Sequence, residues 1–320
     1  MVNPRFTVVI PAFHSAETLP QVLALLAAQR REVPHTVVVV DDGSGDATHA
    51  EAVGAQERYG TSYLTVIAQE HHGAAAARNA GARAAGEPLL LFLGADILPQ
   101  PHFLRRHASV HVRFPDPSVA CVGFVTWDRD IPPTPFMVFL EHGGPQNAYG
   151  DIAGTSWVAP EHFCYGANLS LKRGTFEEAG GFAEQEFSRY GWEDLELGIR
   201  LARRGIRLYY EPTARGGHMH RVTVADAEHR MWEVGRGARV LQTLHPEARV
   251  LNWPRERWVH PLRRWCFPPP LRLGLSWLAE RAERRVLLPR LYRRVLSLAF
   301  YDGVHSNVDD VREIVDNSSR

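Results

Sequence analysis

The chain opens by alternating two hydrophobic patterns. "RFTVVIPAF" is a short β-branched apolar run, the kind that forms a buried strand, and it ends at Pro11. From Thr18 to Arg30 the apolar positions move to Leu19, Val22, Leu23, Leu26 and Ala27, a spacing that shares one helix face. "HTVVVVDDGS" is a second buried run that ends in two acids and a glycine. The pattern then predicts an Ala-rich helix from about Ala47 and a third strand near Tyr63 to Ala68. A Gly-started helix in "HHGAAAARNAGARAAGE" and a fourth strand in "PLLLFLGAD" follow. Strands alternating with helices predict an α/β fold, a doubly wound and mainly parallel sheet with flanking helices. Such sheets bind ligands at the carboxyl ends of their strands, where Pro11, Asp41, Asp42 and Asp96 all fall.

The second half is less regular. It predicts a strand at Val119 to Thr126, Pro- and Gly-rich loops from Ile131 to Pro160, and helices at Gly174 to Ala179 and Asp194 to Arg204. A short strand is expected at Ile206 to Tyr210. From Asn252 the composition turns to Arg, Trp, Leu and Pro, so the expected division is a first domain over 1–225 and a helical, Arg/Trp-rich region over 226–320. The tail stretch "LSWLAERAERRVLLPRLYRRVL" admits two readings. It is either a helical subdomain that packs on the first domain or forms a homodimer seam, or a helix lying in an anionic lipid interface.

Composition narrows the classes. With 36 basic and 36 acidic residues, global charge offers no argument for a nucleic-acid partner. Lys172 is the only lysine. Cys121, Cys164 and Cys266 are far apart and form no CxxC pair, which argues against a disulfide framework or zinc knuckle and for a reducing compartment. Strand-like sequence by Phe6 leaves no stretch for a signal peptide, and no apolar run has the length of a membrane span. A cytoplasmic protein is expected, peripheral at the inner membrane face if the tail binds lipid.

Four motifs carry candidate chemistry, each with a plainer reading. Asp41 and Asp42 follow a buried strand and suit hydrogen bonds from a ribose or base N–H; they also suit a simple turn whose Ser44 or Asp46 caps the next helix. Arg78 and Asn79 lie in the early turns of a helix that starts at Gly73, a place for a phosphate or for an Ala-faced packing helix. In "RYGWEDLELGIRLARRG", Asp194 either caps a helix or acts as a general base beside an aromatic platform. His218 and His220 share a face if they lie on one strand, and either reaches a metal or is a partly buried polar residue.

Taken in order, PAF, DDGS-D-T, G-A-A-R-N-G, the loop Asp96, Gly-Ala-Asn, Gly-Trp-Glu-Asp and a His resemble a family 2 glycosyltransferase of the GT-A fold, over roughly residues 5 to 225. The resemblance implies transfer of a sugar from a UDP- or GDP-linked donor to an acceptor hydroxyl with inversion; if the tail binds lipid, the expected setting is envelope glycan or glycoconjugate synthesis. It places Pro11, Ala12, Phe13, Asp41, Asp42, Arg78, Asn79 and Asp96 around the nucleotide. It places Tyr165, Gly166, Ala167, Asn168, Trp192 and Glu193 along the donor-sugar and acceptor cleft, with Asp194 as the base. Asp96 and His218, with His220 in reserve, would hold Mn²⁺ or Mg²⁺. The acceptor would be a glycan, a lipid-linked sugar or a small molecule. Two positions depart from the family pattern: His14 after Pro-Ala-Phe, and Gly94 in place of the first Asp of the Asp-x-Asp motif. Gly94 keeps open a degenerate protein that binds nucleotide sugar without turnover. A nucleotidyltransferase would want a Gly- and Lys/Arg-rich loop after its first strand, which "IPAFHSAETL" does not supply.

Overall fold

A computed structural model describes residues 4–143, 148–188, 191–248 and 288–306, with positions 271, 274 and 277. The four predicted apolar runs become β1 (Phe6–Ala12), β2 (His35–Asp42), β3 (Leu64–Gln69) and β4 (Leu89–Leu93). They lie parallel in the order β3-β2-β1-β4, with α1 (Leu19–Ala28), α2 (Thr48–Tyr59) and α3 (Ala74–Arg83) as their crossovers. Every residue of β4 is buried, which is why its sequence shows no alternation.

Beyond β4 the sheet turns mixed, a feature the apolar pattern did not reveal. The further elements are β5 (Ile97–Pro99), α4 (Phe103–Arg113), β6 (Val119–Trp127), α5 (Pro135–Gly143), β7 (Trp157–Val158), α6 (Pro160–Phe163), β8 (Asn168–Lys172), α7 (Arg173–Glu178), α8 (Glu193–Arg203) and β9 (Arg207–His218). The order continues β4-β8-β6-β9-β5, with β8 antiparallel to both β4 and β6, and β5 and β7 antiparallel to β9. Three expectations are corrected. β8 begins inside the stretch expected to be a cleft loop, α5 and β7 lie in the expected loops of 131–160, and β9 runs on to His218 instead of ending near Tyr210.

A buried polar strip lies behind β8. Asn168 Nδ2 donates to the Ala214 carbonyl at 2.9 Å, so its Oδ1 must be the acceptor that meets His107 Nε2 at 2.8 Å. Burial pushes His107 down to about 4, so the ring is neutral and its Nδ1 accepts from the Ser170 hydroxyl. Ser170 Oγ in turn accepts from His111 Nε2 at 2.8 Å. The strip fixes β8 against α4, β6 and β9.

The chain divides into two compact units. The first comprises Met1–Pro132, Ile152–Glu184 and Glu193–His220; the second comprises Pro133–Asp151, Gln185–Trp192 and Arg221–Arg320. In the second unit α9 (Val224–Leu244) begins at a reciprocal Thr223–Asp226 capping box and packs against α10 (Leu288–Val304). Most of the Arg/Trp-rich tail, and with it Cys266, lies outside the described residues. Among the described residues no helix is long and apolar enough to cross a membrane.

Candidate active site

The carboxyl ends of β1 to β4 assemble the first half of the site. Asp41 and Asp42, the last residues of β2, are buried, and their carboxylates hold loops. Asp41 Oδ1 accepts from Ser44 N–H at 3.1 Å, and its Oδ2 lies 3.4 Å from His49 Nδ1. Asp42 accepts from Gln69 Nε2 and from the His72 and Gly73 N–H groups at 2.6, 2.9 and 2.8 Å, tying β2 to the start of α3. His71 Nδ1 lies 2.9 Å from Asp42 Oδ2. Gly43 has φ +74°, and a Cβ there would sit 2.7 Å from the His71 nitrogen, so the turn admits only glycine. Asp46, considered for a cap, accepts from Thr48 N–H and Oγ1.

Phe13 projects from the end of β1 with 46% of its surface exposed, while Ala12 is buried in the core and Pro11 is partly buried. The His71 ring stacks on Phe13 at 4.2 Å and 25°, and His14 meets Phe13 edge-on at 4.3 Å. Sequence reasoning missed His71 and His49. The "HHG" before α3 was the available signal for the first, since two His ahead of a helix-starting Gly sit at a strand's carboxyl end.

The second half is built where β4, β5, β8 and β9 meet. β5 pairs with β9 in the register Ile97↔His218, and Met219 N–H donates to the Asp96 carbonyl at 2.9 Å. Residues 122 positions apart in sequence are thereby set side by side, with Asp96 Oδ2 3.2 Å from His218 Nε2. His220 is exposed and lies beyond the end of β9, so the shared-face argument does not extend to it. Its backbone offers His218 Nδ1 both an N–H at 3.2 Å and a carbonyl at 3.3 Å. Either tautomer is therefore satisfied, and freeing the Nε2 lone pair for a cation requires only that the proton sit on Nδ1. The carboxylate suits Mn²⁺ or Mg²⁺, and a single imidazole beside it fits the softer Mn²⁺ better than Mg²⁺. Among the described residues no third His, Cys, Asp or Glu joins them, so further ligands would come from the substrate or water.

A hydrogen-bonded strip joins this pair to the expected base. Ala167 accepts from Gly94 N–H at 3.2 Å on one side, and Gly166 N–H donates to Asp194 Oδ2 at 3.2 Å on the other. Asp194 is the second residue of α8, and its Oδ1 also accepts from Leu195 N–H. Burial, then the neighbouring Glu193 charge, push its carboxyl up to about 7 against the opposing pull of Arg78 and the two N–H groups. A carboxyl poised there accepts a proton near neutral pH.

The other expected residues have their own partners. Arg78, expected beside the nucleotide, is buried, and its Nη1 donates to Glu193 Oε1 at 3.0 Å. Asn79 uses its amide to clamp Phe182, donating to its carbonyl at 2.8 Å and accepting from its N–H at 2.9 Å. Asn168, expected in the cleft, is fully buried because β8 turns its side chain toward α4. Tyr165 is partly buried and its ring stands edge-on to Phe163. Trp192 belongs to the second unit, where its backbone is left-handed (φ 75°) and its indole N–H donates to the Val234 carbonyl of α9 at 2.6 Å.

Comparison with known proteins identifies the family of the chain. The family model described as Glycosyl transferase family 2 matches residues 7–178. The chain is 30% identical over 226 residues to validoxylamine A glucosyltransferase of Streptomyces hygroscopicus subsp. jinggangensis, covering 63% of this chain and 52% of that protein. It is 30% identical over 254 residues to pre-mycofactocin glycosyltransferase of Mycobacterium tuberculosis, covering 75% and 48%. The chain thus spans about half the length of these curated relatives. Among solved structures, a mannosyltransferase from Pyrobaculum calidifontis in complex with GDP-Man and Mn²⁺ superposes with a TM-score of 0.62 at 22% identity, covering 97% of this chain and 88% of that one.

Proposed function

The chain belongs to glycosyltransferase family 2, with the GT-A fold, and from that premise we propose that it moves a sugar from a nucleotide diphosphate donor to an acceptor hydroxyl with inversion at the anomeric carbon. The observation that carries the reading is the strip from Asp194 through Gly166 and Ala167 to Gly94, two residues before the Asp96–His218 pair. It supports a base and a diphosphate-side pair held on one rigid seam of sheet and loop.

In this reading Asp194 accepts the proton of the acceptor hydroxyl as that oxygen bonds to the anomeric carbon. The bond from that carbon to the diphosphate oxygen breaks on the opposite face, and the nucleoside diphosphate leaves with its electron pair. Asp96 and His218 would hold a divalent cation, which supplies positive charge where the departing diphosphate becomes more negative. Phe13, with His71 behind it, offers an aromatic face for a nucleobase, and Asp41 and Asp42 hold the loops that frame it. The donor is expected to be UDP- or GDP-linked and the acceptor a glycan, a lipid-linked sugar or a small molecule.

The test is release of nucleoside diphosphate from a panel of UDP- and GDP-sugars, with Mn²⁺ and with chelator, with and without simple sugar acceptors. Release from one donor, lost with chelator, is expected. No release from any donor, together with ligand-induced thermal stabilisation, would replace the enzyme reading with a nucleotide-sugar-binding protein.

A further inference from the structure

The least expected feature of the site is an ion pair behind the base. Arg78 on α3 and Glu193 at the first position of α8 lie 115 residues apart in sequence, and both side chains are about nine-tenths buried. Isolated buried ion pairs add little stability, because removing two charges from water costs about as much as their attraction returns. This one is also incompletely satisfied: Arg78 Nε and Glu193 Oε2 are enclosed without a hydrogen-bond partner. A pair retained on stability grounds alone would be a poor use of two charges, so its placement becomes the informative fact.

Three contacts define that placement. The Arg78 guanidinium packs beneath Gly166: a Cβ at 166 would lie 3.2 Å from Arg78 Cζ and 3.3 Å from Nε. Gly166 is the residue whose N–H holds Asp194 Oδ2. The Glu193 carboxylate that Arg78 grips belongs to the residue just before Asp194, in the same first turn of α8. Phe182 closes the other side, with Arg78 Cζ 5.3 Å from its ring centroid. One guanidinium thus braces both supports of the base: the backbone that donates to it and the helix turn that carries it.

We propose that Arg78 and Glu193 are positioning residues for Asp194: Arg78 holds Gly166 and the first turn of α8 in one fixed relation, and Glu193 is the anion that keeps Arg78 in place. The inference rests on the reading of Asp194 as the base. It moves Arg78 from the nucleotide side of the site to the rear of the base. Its charge environment agrees, since Glu193 raises the Asp194 carboxyl and Arg78 lowers it. The other titratable groups near Asp194 are Glu196 and Arg200 on α8, which bond each other at 2.6 Å, and Cys164 after α6, whose thiol burial pushes up. Glu161 and His162 lie on α6 itself, which packs on α8.

The experiment compares kcat, KM and the pH profile of sugar transfer for wild type, Glu193→Gln and Arg78→Lys. Glu193→Gln keeps the shape and removes the neighbouring negative charge, so the acid-side midpoint of kcat/KM should fall by roughly one pH unit. Arg78→Lys keeps the charge but cannot both bond Glu193 and support Gly166, so kcat should fall at least about tenfold with KM for donor nearly unchanged. A Glu193→Gln profile superimposable on wild type, or an Arg78→Lys enzyme that loses donor affinity at normal kcat, overturns the proposal; the second result would return Arg78 to the nucleotide. Carboxyl ¹³C NMR titration of Asp194 in the free protein reads the Glu193 effect without turnover and in any variant that folds. An inactive wild type therefore sinks the functional reading, while an unmoved Asp194 titration in Glu193→Gln sinks this one.

Discussion

Replacing Asp194 by Asn should produce an inactive protein that gains relative stability as pH rises. The carboxyl is raised from its ordinary 3.8 to about 7 in the folded protein. A raised acid holds a proton in the folded state that the unfolded chain has already released, so folding stability declines with rising pH between those two values and is level above them. The slope is about 1.4 kcal/mol per pH unit for one proton, so wild type should lose about 2–3 kcal/mol between pH 5 and pH 8 through this group. The amide of the Asp194→Asn variant cannot ionise and carries none of this loss. It can accept from only one of the two N–H groups that Asp194 satisfies, which lowers stability by about 1 kcal/mol, but equally at every pH. The gap between mutant and wild-type melting temperatures should therefore move in the mutant's favour by several degrees from pH 5 to pH 8, at about 2–4 °C per kcal/mol. Turnover should fall at least about a hundredfold, the scale for losing a general base. Scanning calorimetry at the two pH values and a donor-release assay check both halves. A pH-independent melting gap together with near-normal turnover would refute the reasoning and leave Asp194 as a helix-start residue.

Asp96→Ala should abolish Mn²⁺-dependent nucleotide binding in calorimetry, and equal binding with chelator in wild type would speak for a site without a cation. Gly94→Ala should weaken the same binding, because its Cβ would meet Ile97 Cγ1 at 2.8 Å and Asp96 Oδ1 at 2.9 Å; unchanged affinity would mean the loop yields freely. Asp42→Ala should lower stability by about 2–3 kcal/mol by stranding the His72 and Gly73 N–H groups, measured by urea denaturation. His107 is buried and neutral, with its ring pushed from 6.5 down to about 4, so its contribution is present above pH 6.5 and lost as pH falls toward 4. His107→Gln should flatten that acid loss, and an identical acid slope in mutant and wild type would show that the group titrates normally.

The parallel half of the sheet was legible because β1, β2 and β4 are buried almost throughout and their runs are continuous, while the partly exposed edge strand β3 still shows as a short apolar run: β1 to β4 stand where the apolar pattern put them. Motif order was equally legible, and it pointed to the family that the comparisons establish. The antiparallel half was not. β8 begins with Asn168 and contains Ser170 and Lys172, polar residues in a fully paired strand, and the buried His107 and His111 that satisfy the first two come from α4. No local pattern predicts a strand whose polar side chains are completed by a helix some 60 residues away. The same limit applies at the site. Chain order brought Asp96, Asp194 and His218 to notice one at a time, but only the β5–β9 register sets Asp96 against His218. Only the packing of α3 beneath Gly166 turns Arg78 from a surface cation at a helix start into the buried partner of Glu193. Sequence patterns report which face of an element is dry; which distant residue completes a buried charge is decided by tertiary packing, where desolvation makes each such charge find a partner.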